Sequence, residues 1–231
     1  MVTLSPGYPQ STYFLIAMNQ NEHHTFKRVL AVVAHGDDEV IGCGGTLATL
    51  SDRGSSVIAV ICTGRGLDEE TDAAATRLGI ESMILPITVD MNLYGYGVAR
   101  LADTILEHIR RIRPSLIITH SRHDVNQDHR AVHDAVLVAA RPPTTDAQLW
   151  AFRGEGSDWG CGSFGTFTPT IFFDISNVLY RKTHALSAYE SQLKSAPHPR
   201  AIDNVRTQAR YWGSIAGVSA AEPFELLRAI H

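Results

Sequence analysis

The chain has 231 residues, of which 44% are hydrophobic and 19% charged, and its formal net charge is −4. That composition suits a soluble, enzyme-sized folded unit with a sizeable core rather than a disordered chain. The acidic balance leaves no basic footprint for nucleic acid. The longest apolar runs fall well short of the ~20 residues of a membrane-spanning helix, so neither partner is expected.

Residues 1–27 are polar and turn-rich, and read as an N-terminal arm before a single domain over 28–231. The short apolar run at 13–18 has no Lys or Arg before it, which argues against a signal peptide. Cys43, Cys62 and Cys161 are widely spaced and odd in number. They suit no disulfide framework or cysteine zinc cluster, and a cytoplasmic protein with reduced thiols is expected.

From residue 28 strands and helices alternate. A strand at 28–35 is followed by a helix at 43–53 that ends near Gly54. A β-branched strand at 57–62 leads to a helix at 69–78, stopped by Gly79. Strand 82–87, helix 98–113 closed by Pro114, and strand 115–119 follow, with a further helix starting near Asp128. This rhythm predicts a parallel sheet with helices on both faces. Beyond Pro142-Pro143, strands at 149–154 and 170–175 flank a Gly/Ser-rich segment over 154–168. Helices near 176–193, 200–212 and 220–230 complete the expected order.

Two clusters stand at strand ends. The first is Ala34-His35-Gly36-Asp37-Asp38-Glu39, between the apolar run Val29–Ala34 and a glycine-rich stretch. Open α/β sheets bind ligands at the carboxyl ends of their strands. Ionisable side chains gathered there repel or stay unpaired unless something binds them, and a divalent metal is the simplest such thing. The second cluster runs from His120 to His133 and again links a strand to a helix. His129 and His133 are four residues apart and share a helical face. Asp128 lies in the first turn, where a negative charge favours the helix dipole.

A catalytic zinc takes three protein ligands and keeps one position open. His35, Asp38 and His129 supply two imidazoles and a carboxylate, leaving Asp37 beside the metal to accept a proton from water. Such a set suits zinc and would also take Fe(II), Co(II) or Mn(II). Taken singly, each cluster has a plainer reading: a hydrogen-bonded surface histidine, or acidic residues at a helix start. Their placement on one sheet edge favours the metal. His133 reads equally as a ligand or as a supporting group, and His120 and His123 read as loop or supporting groups.

At these residues the chain resembles the LmbE-like (PIG-L) family of zinc-dependent N-deacetylases. The family motif A-H-P-D-D-E, followed by G-C-G-G-T, stands here as Ala34–Glu39 and Gly42–Thr46. Its D-x-N-x-D-H-R-x-V motif stands as Asp124–Val132. Ala188–Gln192, Pro197–Arg200 and Ala221–Glu225 resemble one bacterial branch. The resemblance implies a Rossmann-like α/β fold, a three-layer sandwich with a mostly parallel central sheet. It implies His35, Asp38 and His129 as zinc ligands, Asp37 as general base, and hydrolysis of an N-acetyl group from an amino sugar or a sugar-containing conjugate. It also implies a homo-oligomer, a trimer or hexamer.

The sequence departs from the pattern twice. Gly36 replaces the proline of the first motif. Asn126 replaces a histidine that many members carry three residues before the third ligand. Asn126 can donate a hydrogen bond to an oxyanion but cannot shuttle a proton, so Asp37 or His198 is expected to protonate the leaving amine. Arg65, Arg122, Arg130 and Arg200 are candidates to meet an anionic substrate, and Trp159 to cover a sugar face. Two other functions stay open: an amidase acting on a non-sugar or larger N-acyl conjugate, and a nucleotide- or sugar-binding module using Gly42–Gly45 as a phosphate turn. The glycine spacing fits neither G-x-G-x-x-G nor the P-loop.

Overall fold

In the computed structural model, residues 26–63, 66–87, 92–154, 156, 159 and 161–230 are described. They form β1 (Arg28–His35), α1 (Asp38–Asp52), β2 (Ser56–Thr63), α2 (Asp68–Leu78), β3 (Glu81–Ile84), α3 (Leu93–Tyr96), α4 (Val98–Ile112) and β4 (Leu116–His120). Then come α5 (Gln127–Ala139), β5 (Gln148–Phe152), α6 (Cys161–Phe164), β6 (Ile171–Asp174), α7 (Leu179–Leu186), α8 (Ile202–Ala216) and β7 (Ala221–Arg228). The expected N-terminal arm falls almost entirely outside the described residues. Among the described residues, no helix is long and apolar enough to cross a membrane.

β1 is the centre of the fold, because apolar side chains on both its faces find partners. Leu30, Val32 and Ala34 pack with Leu101 and Ile105 of α4 and Val132 and Val136 of α5. Val29, Ala31 and Val33 pack on the opposite face with Cys43, Leu47 and Leu50 of α1. This two-sided burial makes the strand read as one continuous hydrophobic run. Cys43 and Cys62 are buried free thiols.

The seven strands lie in the order β3-β2-β1-β4-β5-β7-β6. The first five are parallel, and β7 runs antiparallel to both β5 and β6. The fold is therefore the expected three-layer α/β sandwich with a mostly parallel sheet. The chain leaves β1 towards β2 and returns on the other side of β1 as β4. The crevice between these two strand ends is a topological switch point, where sheets of this kind bind ligands. His35 ends β1 and His120 ends β4.

Three sequence expectations need correction. α1 begins at Asp38 and not at residue 43. The glycines after Glu39 lie within this helix and serve packing. A Cβ on Gly42 would lie 2.2 Å from the Phe152 ring, and one on Gly45 would lie 2.7 Å from Ile175. The helix expected at 176–193 is shorter, spanning only Leu179–Leu186. The segment 220–230, expected as a helix, is strand β7. It fills the gap between β5 and β6, with Phe224 buried against Trp150. Its Glu222 carboxylate accepts hydrogen bonds from Gly45 N (2.9 Å), Thr46 N (2.7 Å) and Thr46 Oγ1 (2.6 Å). Lys182 Nζ donates to Glu222 Oε1 (2.5 Å) and to Ile41 O (2.7 Å). This buried ion pair stitches β7 and α7 to the first half of α1.

Candidate metal centre

His35 and Asp38 are brought together by the strand-to-helix turn, and His129 reaches them from the first turn of α5. Asp38 Oδ2 lies 3.3 Å from His35 Nδ1 and 3.4 Å from His129 Nε2, and also accepts the backbone N–H of His35 at 2.9 Å. One donor atom from each of the three residues lies within 4.8 Å of the others.

The far side of each imidazole meets its own carboxylate. His35 Nε2 donates to Asp128 Oδ2 at 3.2 Å, and His129 Nδ1 donates to Asp124 Oδ2 at 2.7 Å. These bonds turn His35 Nδ1 and His129 Nε2 towards Asp38. Carboxylate-backed imidazoles are the usual setting of histidine ligands to metals. The donor set and its backing groups therefore fit a divalent cation.

A second group, His120, Asp124 and His129, also has the spacing for a metal, but His120 Nε2 and Asp124 Oδ2 already have hydrogen-bond partners. His120 Nε2 accepts the Ala34 N–H at 2.9 Å, and Asp124 is engaged with His129. Instead, the His120 ring stacks on His129 with centroids 4.1 Å apart.

Electrostatics point the same way. Burial raises Asp38, but the charge and hydrogen bonds of His129 and His35 outweigh it and hold the carboxyl well below the ordinary range. Burial lowers His129, yet Asp38 and Asp124 bring it up to about 10. Burial likewise opposes the charged form of His35, and its bonds to Asp128 and Asp38 raise it overall. Burial also holds His120 well below its usual value, so that ring is neutral. These carboxylates thus favour positive charge on His35 and His129.

Asp37 precedes α1 with φ 93° and is buried; Arg200 Nη1 lies 3.2 Å from its Oδ2. A cavity of about 330 Å³ opens over the group, lined by Asp38, His129, Asn126, Arg153, His198 and Arg200 among others. Asn126 caps α5 by accepting the Asp128 N–H through Oδ1 at 2.9 Å. His198 Nδ1 accepts the Arg200 N–H at 3.1 Å.

Other residues singled out in the sequence stand apart. His133 Nδ1 donates to the carbonyl of His120 at 2.8 Å, and His123 Nδ1 to that of Phe164 at 2.5 Å, so both brace loops. The Arg130 guanidinium bonds the Asp124 carbonyl and lies 4.3 Å over the Phe164 ring. Arg122 is exposed, Trp159 is 81% exposed, and neither lines the cavity. Arg65 lies outside the described residues. Sequence reasoning missed the backing role of Asp124 and Asp128 and the place of Arg153 in the cavity wall. Asp124 could have been found from its position five residues before His129.

The PIG-L family, described as GlcNAc-PI de-N-acetylase, matches residues 30–140. The diacetylchitobiose deacetylase of Thermococcus kodakarensis is 28% identical over 220 residues, spanning 85% of this chain and 81% of its own. The uncharacterized deacetylase YaiS of Escherichia coli is 33% identical over 182 residues, 71% of this chain and 91% of its own. The crystal structure of the conserved protein TT1542 from Thermus thermophilus superposes with a TM-score of 0.72 at 24% identity, covering 88% of this chain and 96% of that one. That likeness concerns the fold.

Proposed function

The chain belongs to the PIG-L family of de-N-acetylases, and from that premise we propose that it is a metal-dependent hydrolase. It removes an N-acetyl group from an amino sugar or a sugar-containing conjugate. The observation that carries this reading is the convergence of His35 Nδ1, Asp38 Oδ2 and His129 Nε2, with Asp37 next to Asp38 in the chain and a cavity lined by Asp38 and His129. These three atoms would hold the cation, zinc being the ion best suited to the set. When bound, the cation supplies Lewis acidity, polarising a carbonyl and acidifying water.

The chain's own residues supply the rest. Asp37 takes the proton of the attacking water at its carboxylate. Asn126 commits Oδ1 to the helix cap, so its Nδ2 is the group that donates to the oxyanion. The leaving amine receives its proton from Asp37, which took it from the water, or from His198 in its doubly protonated form. Arg200, which meets Asp37 and lines the cavity, also contacts the substrate. The cavity lies at the small end of the ~300–1,000 Å³ range of ligand sites. It therefore accepts a compact substrate or the reacting end of a larger one.

The reading is tested by acetate release from zinc-loaded protein. A panel would set N-acetylglucosamine, its glycosides and diacetylchitobiose beside N-acetyl amino acids. Release from the sugars is expected. Release from the amino acids alone would favour the non-sugar amidase, and no release from any compound would overturn deacetylation.

A further inference from the structure

Asp37 holds a backbone conformation that a side chain disfavours. Its φ of 93° lies in the left-handed region, and a non-glycine residue persists there only where its surroundings over-determine it. The surroundings can be traced atom by atom. The Asp37 N–H donates to Glu39 Oε2 at 3.1 Å. The other oxygen, Glu39 Oε1, accepts the Tyr189 hydroxyl at 2.6 Å, and that hydroxyl also lies 3.3 Å from Thr71 Oγ1. Glu39, Thr71 and Tyr189 are all buried.

Gly36 makes this contact sterically possible. Its φ lies outside the left-handed region, so the backbone does not demand glycine. The space does: a Cβ at position 36 would lie 3.0 Å from Thr71 Oγ1 and 3.1 Å from Tyr189 Cε1. The related motif has proline here, a residue that stiffens the loop by itself. In this chain Tyr189, arriving from 150 positions away, packs across the glycine and reaches Glu39.

We propose that Glu39 and Tyr189 are positioning residues for the reaction. They hold the Asp37 backbone in its left-handed conformation and thereby set where the Asp37 carboxylate stands beside the cation site. The link to the reaction rests on Asp37 acting as the base, as read above. The clamp itself does not.

The test compares full-length Glu39→Ala, Glu39→Gln and Tyr189→Phe with the wild type. The readouts are kcat and KM on the N-acetyl sugar the wild type hydrolyses best, zinc stoichiometry, and hydrogen exchange at the Asp37 amide in metal-free protein. Glu39→Ala should lower kcat about 10²-fold, as displacement of a reacting group by ~1 Å can, with KM and zinc content unchanged. Tyr189→Phe should lower kcat about tenfold, the worth of one hydrogen bond. Glu39→Gln should restore most of the rate lost in Glu39→Ala, since the glutamine carbonyl still accepts the Asp37 N–H and its amide can donate to the Tyr189 oxygen. Asp37 amide exchange should accelerate in Glu39→Ala and return towards wild type in Glu39→Gln.

Wild-type kcat in Tyr189→Phe, or a Glu39→Gln rate as low as that of a structural cavity mutant with lost zinc, would overturn the positioning role. So would exchange at the Asp37 amide that does not respond. If Glu39→Ala does not fold, the other two variants still decide. If the wild type releases no acetate, deacetylation fails, while the exchange measurement still judges the clamp.

Discussion

His129 donates its Nδ1–H to Asp124 Oδ2 across 2.7 Å, with both side chains buried. The bond fixes the ring so that Nε2 faces Asp38. A histidine held this way arrives at a metal with its lone pair already aimed and its basicity raised by the carboxylate behind it.

Asp124→Ala should therefore weaken zinc binding by about 10–100-fold, the usual cost of losing such a backing group. Asp124→Asn should lose less, because the amide oxygen still accepts from Nδ1. Competition with a chromophoric chelator measures both. Equal affinity in Asp124→Ala and wild type would mean that His129 is not a ligand.

Asp37→Ala and His129→Ala should separate the proton step from cation binding. The first should keep full zinc content and lose about 10²–10⁴-fold in kcat, the range of an effective general base. The second should lose zinc and rate together. Metal analysis beside steady-state acetate release distinguishes them, and full activity in Asp37→Ala would remove the base assignment.

The sign of the pH dependence of stability follows from groups raised by folding, His129 and Glu39 among them. The Asp38 and Asp124 carboxylates overcome burial and carry His129 from 6.5 to about 10. Between those values the folded chain keeps a proton that the unfolded chain has released, so stability falls as pH rises. Burial carries Glu39 from 4.5 to about 8, with the same sign over its own window. The urea midpoint of chelator-treated protein should decline steadily from about pH 6.5 to about pH 10. Saturating zinc, which displaces the His129 proton, should flatten the decline. A midpoint that climbs over this window without zinc would contradict the charge arrangement.

The Lys182–Glu222 pair predicts an asymmetric response. Removing one partner leaves a buried charge uncompensated, so Lys182→Met should destabilise by roughly 3–5 kcal/mol. Adding Glu222→Gln to it should recover part of that loss, because the amide oxygen still accepts from the α1 backbone. Chemical denaturation of the single and double variants reads the coupling.

The parallel half of the sheet was legible because β1, β2 and β4 are apolar on both faces and each ends in a turn or helix signal. His35, Asp38 and His129 were legible because each sits at a strand-to-helix junction and the junctions share an edge. The start of α1 was hidden, since Gly42 and Gly45 look like turn residues until Phe152 and Ile175 are seen against them. β7 was hidden by apolar residues at Ala221, Phe224 and Leu227, which mimic a helical face. Its strand character comes from the empty place between β5 and β6. The pairing of Arg200 with Asp37 and of Tyr189 with Glu39 joins residues more than 140 positions apart, and no local pattern announces either.

The central claim is that His35, Asp38 and His129 hold one cation. Anomalous diffraction at the zinc edge, from crystals of the zinc-loaded protein, tests it most directly. The account predicts a single strong peak bonded to His35 Nδ1, Asp38 Oδ2 and His129 Nε2 at about 2.0–2.2 Å, with Asp37 near but not bonded. A peak at another group of side chains, or none between these three under saturating zinc, would contradict it.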